Sequence, residues 1–253
     1  MTASQKSGGT SIILNNEELS ACWSCGSMRA AHFCSSCGKV QPPLPADYFS
    51  FFGLPRKLDI DTAALEREFY QLSRKLHPDL YARSSTQEQG WILEKSAQLN
   101  DAYRTLKDPI ARTEYLLKLE GVQLQEQSKN ATDQARATGA VKKQVVPPEL
   151  LEEVFELNLQ LEEARMNRMS GEVDEDLAHQ LQQTKRHLQQ KFDLLFQELR
   201  GYWAEWDGLV AHAEGGEDTS DARRKVCDKM VALLNRRSYI RNLVRDVNEV
   251  LEG

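Results

Sequence analysis

The feature that most constrains this chain is an amphipathic repeat that is cut off by a proline. Leu65, Phe69, Leu72 and Leu76 recur at spacings of four, three and four, which at about 100° per residue places them on one face of a helix. Arg67, Gln71 and Arg74 fall on the opposite face. Pro78 has no amide hydrogen for a continuing helix, and it pushes the residue before it out of the α region. A helix that begins near Asp61, its N-cap, therefore ends at Leu76 or His77, and His77-Pro78-Asp79 is displayed at a rigid corner. Taken alone, the tripeptide also reads as a helix stop followed by a capping aspartate.

What flanks the corner is also helical. A short helix is expected over about Tyr48 to Phe52, closed by Gly53 and Pro55. After a polar loop around Ser84 to Gln87, a further helix begins near Glu88. Its stripe of Ile92, Ser96, Leu99, Tyr103 and Leu106 faces the preceding helix, which gives an antiparallel hairpin. Asp108 caps another short helix with Pro109 at its first position, where a missing amide hydrogen costs nothing. Tyr115, Leu116 and Leu119 supply its apolar side.

Ahead of the hairpin stand Cys22-Trp-Ser-Cys25-Gly26 and Cys34-Ser-Ser-Cys37-Gly38. Each Cys-x-x-Cys turn brings two thiolates onto one ion, so the two pairs signal a tetrahedral metal site, with zinc the expected occupant and a rubredoxin-like iron site the alternative. Gly26 and Gly38 allow the positive φ that such turns need. A pair of disulfides is disfavoured in a reducing compartment. His32 lies between the pairs and is expected at the surface, because four cysteines complete the shell. Gln41-Pro-Pro-Leu-Pro45 then reads as a stiff extended linker.

From Pro148 onward the pattern is helical throughout. Leu150, Val154, Leu157, Leu161 and Ala164 share one face of a first helix. A long second helix carries Leu177, Leu181, Thr184, Leu188, Phe192, Leu195 and Leu199 and runs on through Trp203 and Trp206, until Gly215-Gly216 breaks it. Thr219-Ser220-Asp221 caps a third, with Val226, Met230, Leu233, Ile240, Val244, Val247 and Leu251 on its stripe. Three such stripes imply a three-helix coiled-coil bundle.

The first of these helices has a second stripe that a bundle does not need. Leu151, Phe155 and Leu159 repeat every four residues, about 140° around the helix from the core stripe. Such a stripe reads either as a broad core face or contact with the preceding domain, or as an exposed contact surface for a partner, and Tyr239, off the core stripe of the third helix, is expected to join it. Cys227 is expected as a half-buried structural thiol, and Arg237 occupies a slot the repeat reserves for a hydrophobe, at a frayed edge or paired with a glutamate of the first helix.

Composition limits the function classes. Of 253 residues 28% are charged, with a net charge of −6 and no dominant basic patch, so nucleic-acid binding is not expected. Apolar runs are far too short to span a membrane. The first twenty residues hold one Lys, no Arg and two Glu, which suits neither a signal peptide nor an Arg-rich transit peptide. A cytoplasmic protein is expected, with the mitochondrial matrix as the alternative. His77 and Asp79 have no companion nucleophile or phosphate-cradling glycine loop, so no catalytic set emerges.

Asp47-Tyr-Phe, Phe52-Gly-Leu-Pro55, His77-Pro78-Asp79, Asn100-Asp-Ala-Tyr103 and Arg112-Thr-Glu-Tyr-Leu-Leu117 together resemble a J-domain, and more narrowly the HscB family of J-type co-chaperones that assist iron-sulfur cluster transfer. The resemblance runs from about residue 22 to the end and is strongest between 47 and 119. It implies a mainly α fold: a disordered tail (1–21), a small four-cysteine metal-binding module (22–41), a J-domain (46–120), a linker (121–147) and a C-terminal three-helix coiled-coil bundle (148–253). It also implies two protein partners. A heat-shock-70 class chaperone, HscA/DnaK-like, would engage His77, Pro78 and Asp79, with Arg67, Tyr70, Gln71, Arg74 and Lys75 alongside. An IscU-like iron-sulfur scaffold would dock on Leu151, Phe155, Glu156, Leu159 and Tyr239. Some HscB-family members carry a similar tetracysteine extension, here Cys22, Cys25, Cys34 and Cys37, and others lack it. The alternatives are a general folding J-protein whose bundle binds unfolded clients, and a metal or redox sensor acting through the J-domain.

Overall fold

The computed structural model describes residues 21–27, 32–122, 150–171 and 174–252. The expected tail up to residue 20, most of the expected linker (123–147) and the first residues of the expected bundle lie outside them. The described secondary structure is helical apart from one isolated antiparallel bridge between Phe33 and Val40. No helix among the described residues is long and apolar enough to cross a membrane. The chain divides into two compact units, one of residues 1–55 and 61–107, the other of 56–60 and 108–253.

The first unit contains the cysteine knuckles and the hairpin. Helix α1 (Tyr48–Phe51) is started by Asp47, whose carboxylate accepts from Ser50 N–H, and it buries Phe49 and Phe51. Helix α2 (Thr62–Lys75) begins at Asp61, whose Oδ1 accepts from the N–H groups of Ala63 and Ala64 at 3.0 and 2.9 Å. It ends at Leu76 as the proline demands, and a 3-10 turn (Pro78–Tyr81) follows. Helix α3 (Thr86–Lys107) starts two residues earlier than expected, because Ser85 and Glu88 cap it reciprocally. Leu72 and Leu76 join Ile92, Leu99 and Ala102 in one core cluster with Phe51 and Val40. At the open end Phe69 stacks on Tyr103 with centroids 4.0 Å apart, and Glu66 accepts from Tyr103 Oη at 2.8 Å and Lys107 Nζ at 3.1 Å.

In the second unit α4 (Pro109–Leu119) starts on Asp108, whose Oδ1 accepts from the N–H groups of Ile110 and Ala111 at 2.9 and 2.7 Å. Helices α5 (Leu151–Ser170), α6 (Glu175–Glu214) and α7 (Ser220–Glu252) pack on one another as the three expected helices. With 40 residues, α6 is about 60 Å long. Gly216, at φ 92°, lets the chain reverse after it. Thr219 stands at the start of α7, its carbonyl accepting from Arg223 N–H at 2.9 Å, and Asp218 Oδ1 accepts from Ser220 N–H at 3.0 Å.

Two buried tryptophans of α6 tie the shorter segments to this unit. Trp203 Nε1 donates to Thr113 Oγ1 of α4 at 3.0 Å, and Thr113 Oγ1 donates to Pro109 O at 2.8 Å. Trp206 Nε1 donates to Arg56 O at 2.9 Å. Asp207 accepts from the N–H groups of Leu58 and Asp59 at 2.7 and 2.9 Å. Arg112 and Arg223 lie over the rings of Trp203 and Trp206. Arg237 lies in the middle of α7 and, among the described residues, shows no ion pair with a glutamate of α5: its guanidinium sits over the Phe192 ring, 4.1 Å from the centroid, which explains a cation in an apolar slot. Cys227 is more buried than expected, at 2% exposed, and burial pushes its thiol up to about 11.

Thr113 is fully buried, so Thr113→Val leaves the Trp203 N–H without an acceptor, at a cost of about 1–3 kcal/mol. Urea unfolding of the second unit followed by tryptophan fluorescence is expected to show a lower midpoint with an unchanged slope; an unchanged midpoint would refute this account of the Trp203 contact.

Candidate metal centre and docking faces

The two knuckles are near-copies. Gly26 and Gly38 lie at φ 72° and 71°, a region closed to most residues that carry a Cβ. Their N–H groups donate to Cys22 O and Cys34 O at 2.9 Å. Ser24 and Ser36 N–H point at Cys22 and Cys34 Sγ at 3.4 Å. All four sulfurs lie within 4.8 Å of one another, with Cys22–Cys37 at 3.7 Å and Cys25–Cys34 at 3.6 Å. A tetrahedral ion with metal–sulfur bonds of about 2.3 Å sets its ligands about 3.8 Å apart, so the cage fits one. None of the four is in a disulfide.

The electrostatics point the same way. Burial opposes ionisation of Cys22, but the backbone N–H groups of Cys25 and Ser24 and the Gln41 amide outweigh it and bring the thiol down to about 6. The Lys39 backbone pulls Cys37 down as well, yet burial and the neighbouring sulfurs outweigh that and push it up to about 11. Four thiols this close resist ionising together, and a bound cation removes the conflict.

His32 corrects the sequence expectation. It is half-buried, its Nε2 lies 3.0 Å from Phe51 O, and its ring packs on Phe51 with centroids 4.6 Å apart. Burial, with Lys95 nearby, lowers its pKa. It is a spacer between the knuckles and α1. Gln41 was read only as linker, yet it is fully buried and donates to Cys22 Sγ at 3.3 Å and Lys39 O at 2.8 Å.

The His77–Asp79 corner has the expected geometry. His77 is extended, at φ −71° and ψ 126°, and its Nδ1 accepts from Asp79 N–H at 3.3 Å. The His77 and Asp79 side chains are 56% and 88% exposed. Arg67, Tyr70, Gln71 and Arg74 are exposed, and their spacing keeps them within about 100° of one another around α2. Lys75, also exposed, flanks them. Leu80, not singled out from the sequence, is 67% exposed directly after the corner.

On α5, Leu151, Phe155 and Leu159 are 55%, 67% and 53% exposed, with Glu156 exposed among them, while Val154, Leu157 and Leu161 are buried. The stripe is longer than expected. Met166 and Met169, 68% and 90% exposed, fall on the same arc of the helix. Their spacing of seven and ten from Leu159 carries that signal. Tyr239 does not belong with them: it is 7% exposed, because α7 packs against two helices and buries a wide arc. Burial, with Asp246 adding to it, raises the Tyr239 pKa.

Comparison with known proteins matches the DnaJ domain to residues 47–115. The chain is 34% identical to an iron-sulfur cluster co-chaperone protein HscB homolog of Arabidopsis thaliana over 170 residues, 65% of this chain and 62% of the relative. It is 33% identical to the iron-sulfur cluster co-chaperone protein HscB of Mus musculus over 159 residues, 60% of this chain and 62% of the relative. A co-chaperone protein HscB homolog of Bordetella petrii is 46% identical over 89 residues, 35% of this chain and 52% of the relative. The matches thus span about three fifths of the length of the first two relatives. A crystal structure of human co-chaperone protein HscB covers 88% of this chain and 97% of that one, at 25% identity and a TM-score of 0.49.

A helical hairpin with an exposed His-Pro-Asp corner, inside a matched DnaJ domain, defines a J-domain protein. Homology to the HscB proteins of Arabidopsis and mouse extends well beyond that domain. The chain thus contains a J-domain and is similar to HscB co-chaperones over about three fifths of its length, with a four-cysteine site that could hold a metal ahead of the J-domain.

The purified chain is expected to carry about one metal ion per molecule by elemental analysis, and Cys34→Ser, which removes a buried ligand, to lose it. Full retention of metal in that variant would exclude the four-sulfur cage.

Proposed function

We propose that the chain is a co-chaperone that stimulates the ATPase of a heat-shock-70 class, HscA/DnaK-like chaperone and delivers an IscU-like iron-sulfur scaffold protein to it, promoting cluster transfer. The observation that carries the reading is the His77–Asp79 corner, which presents an exposed carboxylate from a backbone fixed on both sides. A rigid contact of this kind shifts a partner's equilibrium only where it fits one of the partner's two states better than the other. Arg67, Arg74 and Lys75 steer an acidic partner surface toward the corner, with Tyr70 and Gln71 on the same side. The chain is an adaptor, and its own side chains transform no substrate.

Support for the second face comes from α5. Leu151, Phe155 and Leu159 leave a contiguous apolar stripe in water, which a soluble protein rarely does without a partner. The relatives homologous to this chain are named for the same class of task, iron-sulfur cluster co-chaperone. For the cysteine site the reading takes zinc as the resident ion, with iron as the alternative, held by Cys22, Cys25, Cys34 and Cys37 in a structural role. Four free thiols at this spacing suit a reducing compartment such as the cytoplasm or the mitochondrial matrix.

Asp79→Asn is expected to reduce stimulation of the chaperone's ATP hydrolysis to the unstimulated rate in single-turnover assays; normal stimulation would overturn the assignment of the corner. Combining Leu151→Ala with Phe155→Ala is expected to raise the scaffold dissociation constant at least about thirtyfold, for a loss of about 2 kcal/mol or more, with stimulation in the absence of scaffold intact. Calorimetry reads the first quantity, and unchanged affinity there would remove α5 from the scaffold site.

A further inference from the structure

The side chains that join the cysteine knuckles to the hairpin have no part in the function proposed above. Lys39 follows Gly38 of the second knuckle. Its carbonyl accepts from Cys34 N–H at 2.9 Å and from Gln41 Nε2 at 2.8 Å, while its Nζ reaches Glu88 Oε1 at 3.0 Å. Glu88 is only 5% exposed. Its other oxygen accepts from Ser85 N–H at 3.2 Å and Ser85 Oγ at 2.8 Å, and Ser85 Oγ accepts from Glu88 N–H at 3.3 Å. The carboxylate that caps α3 is therefore also the ion-pair partner of the knuckle.

The same turn of α3 holds the segment that follows the corner. Gln89 Nε2 donates to Ala82 O at 3.3 Å and Ser84 O at 3.0 Å. Val40, two residues beyond Gly38, is buried in the cluster that contains Leu76 and Ile92, and Tyr81 packs against that cluster. Trp23, inside the first knuckle, donates to Val40 O at 2.7 Å and meets Trp91 of α3 edge-on at 5.6 Å. The knuckles are thus part of the core that fixes both ends of the corner.

We propose that metal binding at the four cysteines sets the order of residues 80–92, the segment that follows the His77–Asp79 corner, through Lys39 and the Glu88 cap of α3. With the cysteines unligated, the second knuckle opens and Lys39 is no longer held at Glu88. A buried carboxylate left without its cation is strongly unfavourable, so Glu88 turns to water and gives up Ser85. The first turn of α3 then frays, and Gln89 releases Ala82 and Ser84. The inference concerns the order of this segment and not the use of the corner before it, so it stands or falls apart from the chaperone reading.

Hydrogen exchange read by mass spectrometry on the full chain, in reducing buffer, tests it without any partner. Chelation of the metal is expected to speed exchange of peptides covering residues 80–92 at least about tenfold, leaving peptides of α6 and α7 unchanged. In the metal-loaded protein, Lys39→Met is expected to keep its metal by elemental analysis and still speed the same peptides severalfold. Equal exchange over 80–92 with and without metal overturns the proposal, as does a loaded Lys39→Met chain that matches wild type there. Should chelation precipitate the chain, the Lys39→Met comparison decides alone.

Discussion

Leu76 is the last residue of its helix turn and is wholly buried, in a cluster with Leu72, Ile92, Leu99 and Ala102. Each buried leucine or isoleucine among them contributes about 1.5–3 kcal/mol, and together they hold α2 and α3 antiparallel. Display of the corner follows from this contact. One residue beyond Leu76 the chain leaves the core, and His77 and Asp79 project into water from a point that cannot move without opening the cluster. A flexible loop with the same three residues would have to be ordered at each encounter, and that ordering would subtract from the binding free energy.

The second unit is governed by a different constraint. Trp203 and Trp206 fill its core, but each brings an N–H that must be satisfied where there is no water. The acceptors, Thr113 Oγ1 and Arg56 O, come from segments 90 and 150 residues away in sequence. This explains why residues 56–60 and α4 belong with the three long helices instead of with the hairpin that they flank in the chain.

Periodicity and punctuation made much of this legible. Pro78, Pro109 and the caps at Asp61 and Asp108 act through local backbone chemistry, and the elements they bound stand where the sequence places them. The four cysteines announced a shared site by spacing alone. What stayed hidden depends on which surfaces meet. A repeat gives the direction of a buried face but not its width, so Tyr239 looked free on a helix that buries a wide arc against two neighbours. Lys39 and Glu88 pair across 49 residues, and each reads as an ordinary surface charge in its own segment. His32 and Gln41, taken as surface and linker, are drawn inward because the knuckles pack on α1 and α3.

The two faces proposed for docking differ in the forces they offer. The corner and its basic flank are polar and hydrated, so they attract a partner from a distance and lose that attraction within about 10 Å at moderate salt. They contribute more to encounter rate than to residence. The α5 stripe is apolar and has no reach, but what it touches stays, because burying Leu151, Phe155 and Leu159 removes hydrocarbon from water. On the proposed function, a slow-leaving cargo face and a fast-sampling chaperone face on one chain would convert the meeting of cargo and chaperone from a second-order event into a local one. The gain is then set by effective concentration and not by the strength of either contact.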